Sequence, residues 1–178
     1  MKVVCFGDSN TYGFAPRSYL GDRYPADCRW VDLLAAKTGW TVSNQGENGR
    51  EIPRGPIPVP PDTDLLMVML GTNDLLQGRT PAAVTEDMGR FLERLPLARE
   101  KMLLIAPPPM VPGTWVPDAA LVENSKTLAG CYRALARKLG VQFADAGEWN
   151  ISLAFDGVHF TEQGHKAFAR GLTEEVIQ

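Results

Sequence analysis

Apolar and polar positions follow two rhythms along the chain, and the rhythm switches from one segment to the next. Lys2–Phe6 is a short apolar run that stops at Gly7-Asp8, which predicts a strand. Trp30, Val31, Leu33 and Leu34 fall at helical spacing, and Gly39 stands where a glycine would close that helix. Trp40–Ser43 is the second expected strand. Leu65–Leu70, unbroken by polar residues and ended by Gly71, reads as a third strand buried on both faces. Thr80-Pro81 predicts an N-cap followed by proline at the first helical position, with Val84, Met88, Phe91, Leu92 and Leu95 as the buried stripe. Met102–Ala106 is the fourth strand, cut off by Pro107-Pro108-Pro109. A long helix ending near Leu139-Gly140 precedes a fifth strand, Val141–Ala144. The last helix begins after Thr161, with Ala167, Phe168 and Leu172 turned inward.

Strands that alternate with helices predict an α/β fold, a three-layer α/β/α sandwich around a five-stranded parallel sheet in flavodoxin-like order. One connection breaks the rhythm: Pro53, Pro56, Pro58, Pro60 and Pro61 leave no room for an ordinary helix between Asn44 and Asp64. That stretch is expected to be an extended crossover with at most one short turn. The length of 178 residues suits one domain, residues 1–178.

Composition narrows the function classes. Apolar residues make up 44% and charged residues 22%, which excludes disordered and fibrous chains. Eighteen Lys+Arg against 21 Asp+Glu leave a net charge of -3, with no footprint for nucleic acid or an anionic membrane. No apolar run approaches the ~18 residues of a membrane span, and the N-terminus shows no signal-peptide core. Three cysteines without framework spacing (Cys5, Cys28, Cys131) read as reduced thiols in a cytoplasmic protein.

The candidate chemistry is confined by scarcity. His159 and His165 are the only imidazoles, and the serines are Ser9, Ser18, Ser43, Ser125 and Ser152. With no CxxC and no HExxH, neither a metal site nor a cofactor is expected. Ligands of an open α/β sheet bind beyond the carboxyl ends of its strands. Gly7-Asp8-Ser9-Asn10, Asn44-Gln45-Gly46, Gly71-Thr72-Asn73-Asp74 and Asp156-Gly157-Val158-His159 are read as lying at such ends. Each alone could be turn geometry or a helix cap. Together they place a hydroxyl, an imidazole, a carboxylate and hydrogen-bond donors on one rim.

These four blocks, in this order, resemble those of the SGNH (GDSL) hydrolases, and the resemblance covers nearly the whole chain. Arg29-Trp30, Met69–Asp74, Ala106–Pro109 and Phe155–Thr161 are similar to the arylesterase/acyltransferase branch, from which the chain departs in its shorter, proline-rich 47–63 segment. The resemblance implies a serine esterase with an oxyanion hole formed by Ser9, Gly46 and Asn73. Its branch is often oligomeric, so a homo-oligomer is compatible with it. The residues support the same chemistry on their own terms. A serine hydroxyl needs a base, and His159 is the candidate. Asp156, three residues earlier, can reach the imidazole Nδ1–H and hold its tautomer. The backbone N–H groups of Ser9 and Gly46 and the amide of Asn73 can donate to a developing oxyanion, glycine admitting a close approach of the substrate. No serine lies in a GxSxG elbow, which argues against the α/β-hydrolase fold proper.

Asn10, Trp30, Trp115 and Trp149 are candidates for binding substrate, as is Tyr12, although aromatics more often serve cores. Asp8 and Asp74 are expected to hold their turns, and Asn44 to hold its own or orient Gly46. His165 reads as a surface or helix-packing residue. The expected substrate is a small carboxylic ester, aryl or acetyl, with acyl transfer sharing the first half of the reaction. A carbohydrate or natural-product deacetylase would use the same residues. A non-catalytic phosphate- or flavin-binding module is the reading of another class. It would find its cradle in Gly7–Gly13 but shows neither GxGxxG nor GxxxxGK[ST].

Overall fold

The structure, a computed structural model, describes residues 1–17 and 22–176. Five parallel strands, β1 (Lys2–Gly7), β2 (Thr41–Gly46), β3 (Leu65–Met69), β4 (Met102–Ala106) and β5 (Gln142–Asp145), pair in the order β2-β1-β3-β4-β5. The expected doubly wound sheet is therefore present, with β1 and β3 adjacent at its centre. Consecutive side chains of a strand face opposite ways, so a strand buried on both faces must be apolar at every position. β3 is: Leu66 and Val68 join Val4, Phe6 and Leu104 in one core, while Met67 and Met69 join Val3, Cys5, Leu103 and Ile105 in the other.

Helices cover both faces. α4 (Pro81–Arg94) and α5 (Ala119–Leu139) bury Val84, Met88, Phe91, Leu128 and Tyr132 in the first core. α2 (Trp30–Thr38) and α6 (Glu162–Gly171) bury Trp30, Leu34 and Phe168 in the second. Local signals start them: Thr80 and Thr161 accept hydrogen bonds from Ala83 and Gly164 N–H, and Asp118 from Ala120 N–H. Two short helices the pattern did not announce, α1 (Ser9–Tyr12) and α3 (Thr72–Leu76), follow β1 and β3 directly.

Two strands start later than their apolar runs suggested. Val141, just past the Gly140 cap of α5, is held by that cap, its N–H bonding the Ala136 carbonyl, so β5 begins at Gln142. Trp40 N–H is taken by the Thr38 hydroxyl, and β2 runs instead from Thr41 to Gly46, where pairing with Gly7 prolongs the ladder. The proline-rich crossover is extended, with turns but no helix, and its Ile52 is buried in the first core.

Candidate active site

β1 delivers Ser9 two residues past its last position. The Asp8 carboxylate accepts from Asn10 N–H (2.9 Å) and caps α1, so Ser9 opens that helix. Its N–H has no acceptor among the described residues. The imidazole comes from far along the chain. His159 Nε2 lies 2.9 Å from Ser9 Oγ, and His159 Nδ1 lies 2.8 Å from Asp156 Oδ2. Asp156 Oδ1 is occupied by the N–H groups of Val158 and His159, both at 2.9 Å, so the second carboxylate oxygen is left for the ring. The three side chains are shielded, Ser9 being 5%, Asp156 1% and His159 2% exposed.

Burial pushes the Asp156 carboxyl up, but the His159 ring and the two backbone donors outweigh it and hold the group below its ordinary range. An ionised carboxylate only accepts, so Nδ1 carries the ring proton and Nε2 is free to accept from the Ser9 hydroxyl. That chain of bonds can move one proton from Ser9 to His159 while Asp156 stabilises the resulting imidazolium.

The expectation that Asp156–His159 lies at a strand end is corrected. β5 ends at Asp145, and ten residues follow before Asp156. The segment is closed on itself by the Leu153–Phe160 bridge and by Ala154 N–H on the His159 carbonyl (2.7 Å). Asn10 then ties it to β1: its amide donates to Val158 O (3.1 Å) and accepts from Phe160 N–H (2.9 Å). Asn10 is thus buried and committed to the chain itself, not to a substrate. A second loop grips the segment from outside, with Val111, Thr114 and Trp115 N–H donating to Gly157, Phe155 and Asp156 carbonyls. Gly157, at φ +83°, is required there, since a Cβ would sit 2.1 Å from Val111 O.

The aromatic candidates separate. Trp30, 1% exposed, packs on Phe168 and donates Nε1–H to Asn10 O (3.0 Å). Trp149, 5% exposed, packs on the same Phe168, so both tryptophans are core and neither lines the site. Tyr12 lies under the Arg23 guanidinium. Trp115 is at the site: it is 52% exposed and stands edge-on to the His159 ring at 5.0 Å. Phe14, which sequence reasoning missed, flanks the same ring at 4.7 Å. Its signal was its position, one residue beyond the Gly7–Gly13 block that carries Ser9. His165 is elsewhere, buried between Tyr24 and Phe160, where burial, with Arg29 adding to it, pushes its pKa down to about 3. Among the other serines, Ser18 lies outside the described residues.

The expected oxyanion donors are arranged unequally. Asn73, in α3, gives one amide hydrogen to Arg50 O (3.0 Å) and keeps a second. Gly46 N–H already donates to Asn44 Oδ1 (2.9 Å), and Asn44 in turn donates to Thr11 O (2.9 Å). The reason for glycine at 46 also differs from the expectation. A Cβ there would meet Tyr12 N at 2.0 Å and Thr11 C at 2.5 Å, so its absence makes room for α1 rather than for substrate. Asp74 is no simple turn residue either: it takes Ile52 N–H across the crossover and pairs with Arg79.

A parallel α/β sheet with a buried Ser–His–Asp chain beyond β1 defines a serine hydrolase architecture. Residues 5–167 match the GDSL-like lipase/acylhydrolase family, and the chain belongs to that family. No curated protein sequence matches it. Among solved structures it is similar to a protein assigned as an arylesterase from Agrobacterium tumefaciens, at 31% identity and a TM-score of 0.82, over 98% of this chain and 97% of the other. It is also similar to Est24, a carbohydrate acetylesterase from Sinorhizobium meliloti, and to an aryl esterase of M. smegmatis. Each of these two is 27% identical at a TM-score of 0.81, over 98% of this chain and 97% of the other. The chain is a carboxylic ester hydrolase of the serine type. No helix among the described residues is long and apolar enough to cross a membrane.

Proposed function

We propose that this enzyme cleaves small aryl or acetyl esters through an acyl-enzyme on Ser9, with His159 as general base and acid and Asp156 orienting it. The observation that carries the reading is the unbroken chain Ser9 Oγ–His159 Nε2 (2.9 Å) and His159 Nδ1–Asp156 Oδ2 (2.8 Å). Ser9 Oγ attacks the ester carbonyl as its proton passes to His159 Nε2. The negative charge then grows on the carbonyl oxygen, where Ser9 N–H and the free Asn73 amide hydrogen donate. Gly46 N–H adds to them only by releasing Asn44 Oδ1, its acceptor here. His159 returns the proton to the departing alcohol oxygen, and water repeats the sequence in reverse to release the acid.

Trp115 is the substrate wall. Exposed and edge-on to His159, it gives the site an apolar rim suited to an aryl or short acyl group. The same rim favours an alcohol over water as acyl acceptor, which supports transferase activity beside hydrolysis, and it offers a contact surface for a homo-oligomer. The likeness to a carbohydrate acetylesterase supports acetyl-sugar esters as a second substrate class. Three free thiols, two of them buried, support a cytoplasmic location.

The test is intact-mass analysis after fluorophosphonate treatment, followed by peptide mapping and a profile over aryl, alkyl and acetyl-sugar esters. A single adduct on Ser9, lost in His159→Ala, is expected. An adduct elsewhere, or none with every ester inert, would overturn the reading.

A further inference from the structure

Arg50 has no part in the proton transfers above, yet it touches all three strand ends that bear the oxyanion donors. Its Nη1 donates to the Gly7 carbonyl (3.0 Å) and to the Gln45 carbonyl. Gly7 closes β1 two residues before Ser9, and Gln45 immediately precedes Gly46 in β2. The main-chain carbonyl of Arg50 accepts the Asn73 amide at 3.0 Å, which brings in the segment after β3. The guanidinium is itself fixed: Nη2 bonds the Glu47 carboxylate at 2.6 Å, the group lies 4.2 Å over the Phe6 ring, and the side chain is 18% exposed. A planar, permanently charged fork suits such a task, since one nitrogen can bridge two carbonyl oxygens where a sheet ladder runs out.

We propose that Arg50 is a positioning residue of the oxyanion hole, holding β1, β2 and the Asn73 side chain at the separation the tetrahedral intermediate requires. Between the ends of β1 and β2 one backbone bond remains, Glu47 N–H on the Gly7 carbonyl (3.2 Å), and the guanidinium adds a second tie through Gln45. Donors stabilise an oxyanion only when they lie at hydrogen-bond distance from its developing position, with a tolerance of about 0.5 Å. The proposal rests on the roles given above to Ser9 and Asn73.

The test is Arg50→Met, which keeps an aliphatic stem over Phe6 and removes the guanidinium. On an aryl ester kcat should fall about 10–100-fold, with KM within about twofold, because the loss is felt mainly in the transition state. The contacts of His159 with Ser9 and Asp156 should be kept, so the fluorophosphonate should still label Ser9. In ¹⁵N spectra the Asn73 side-chain amide signals should shift or broaden. Arg50→Lys, with a single point donor, should recover only part of kcat, and it carries the same comparison if Arg50→Met does not fold. Wild-type kcat with unmoved Asn73 signals would overturn the proposal, as would a loss carried by KM. A wild-type protein inert toward esters would instead sink the esterase mechanism, while the Asn73 signals would still decide whether Arg50 holds that side chain.

Discussion

The two halves of the proposed mechanism, the Ser9 nucleophile and the Asp156–His159 pair, are held by different means. Ser9 and Asn73 follow β1 and β3 within a few residues, so the central strands of the sheet aim them almost directly. Asp156 and His159 follow an edge strand at a distance of eleven residues or more and cross back to the centre on a loop. That loop keeps its place through Asn10, through its own bridge, and through the 111–115 backbone donors. The nucleophile inherits rigidity from the sheet. The base depends on a handful of buried hydrogen bonds, and its half of the site is the one that single substitutions can displace.

The sharpest way to break the base half is Asp156→Asn. The amide cannot hold Nδ1–H in place, and kcat should drop about 10⁴-fold with the fold intact. A loss below tenfold would remove Asp156 from the mechanism. Asn10→Ala cuts the tie between the halves and leaves Val158 O and Phe160 N without their partner. We expect about 2–3 kcal/mol lower stability in denaturant unfolding and kcat lower by about 10–100-fold. Stability lost without any change in kcat would mean the loop keeps its register unaided. Trp115→Ala spares both halves and alters the wall. KM for aryl esters should rise about fivefold to tenfold, worth roughly 1 kcal/mol, with acetyl-sugar esters little affected. Equal changes for both substrates would deny Trp115 a part in selectivity.

The smallest effect on catalysis is expected at His165, which sharpens the contrast between the two imidazoles. Its pKa is pushed from 6.5 to about 3 by burial, with Arg29 adding to it, so below pH 6.5 the unfolded chain binds a proton that the folded chain refuses. The stability from this group is therefore present above pH 6.5 and is lost as pH falls toward about 3. Asp8 works in the opposite direction: burial raises it to about 6, and its contribution is present below its ordinary 3.8 and is lost as pH rises through about 6. His165→Gln should flatten the acid-side loss in thermal unfolding measured from pH 7 to 4 while leaving kcat at neutral pH unchanged. An unaltered slope would mean the ring is protonated in the folded protein.

Much of this was legible because its causes are local. Thr80-Pro81, Gly140 and the all-apolar Leu65–Met69 each state their geometry within a few residues. Ser9, Asp156 and His159 stood out because imidazoles and serines are scarce and the blocks keep a family's order. Other features depend on what comes near in space. Three tryptophans look equivalent in the chain, but Phe168 draws Trp30 and Trp149 into the core and leaves Trp115 on the rim. Asn10 adjoins the nucleophile and invites a substrate role, yet its partners are Val158 and Phe160, some 150 positions away. Gly46 suggests room for a ligand, whereas the neighbour that needs the room is the backbone of α1.

By itself, then, the sequence determined the alternation of strands and helices, the helix ends and the short list of reactive groups. Periodicity, capping and side-chain chemistry act over a few residues and need no distant partner. The tertiary structure decided which of those groups meet. β1 lies inside the sheet and β5 at its edge, and a buried amide carries the last loop across the two strands between. Distances between residues far apart in the chain follow from that packing, because burial and pairing depend on both surfaces that come together.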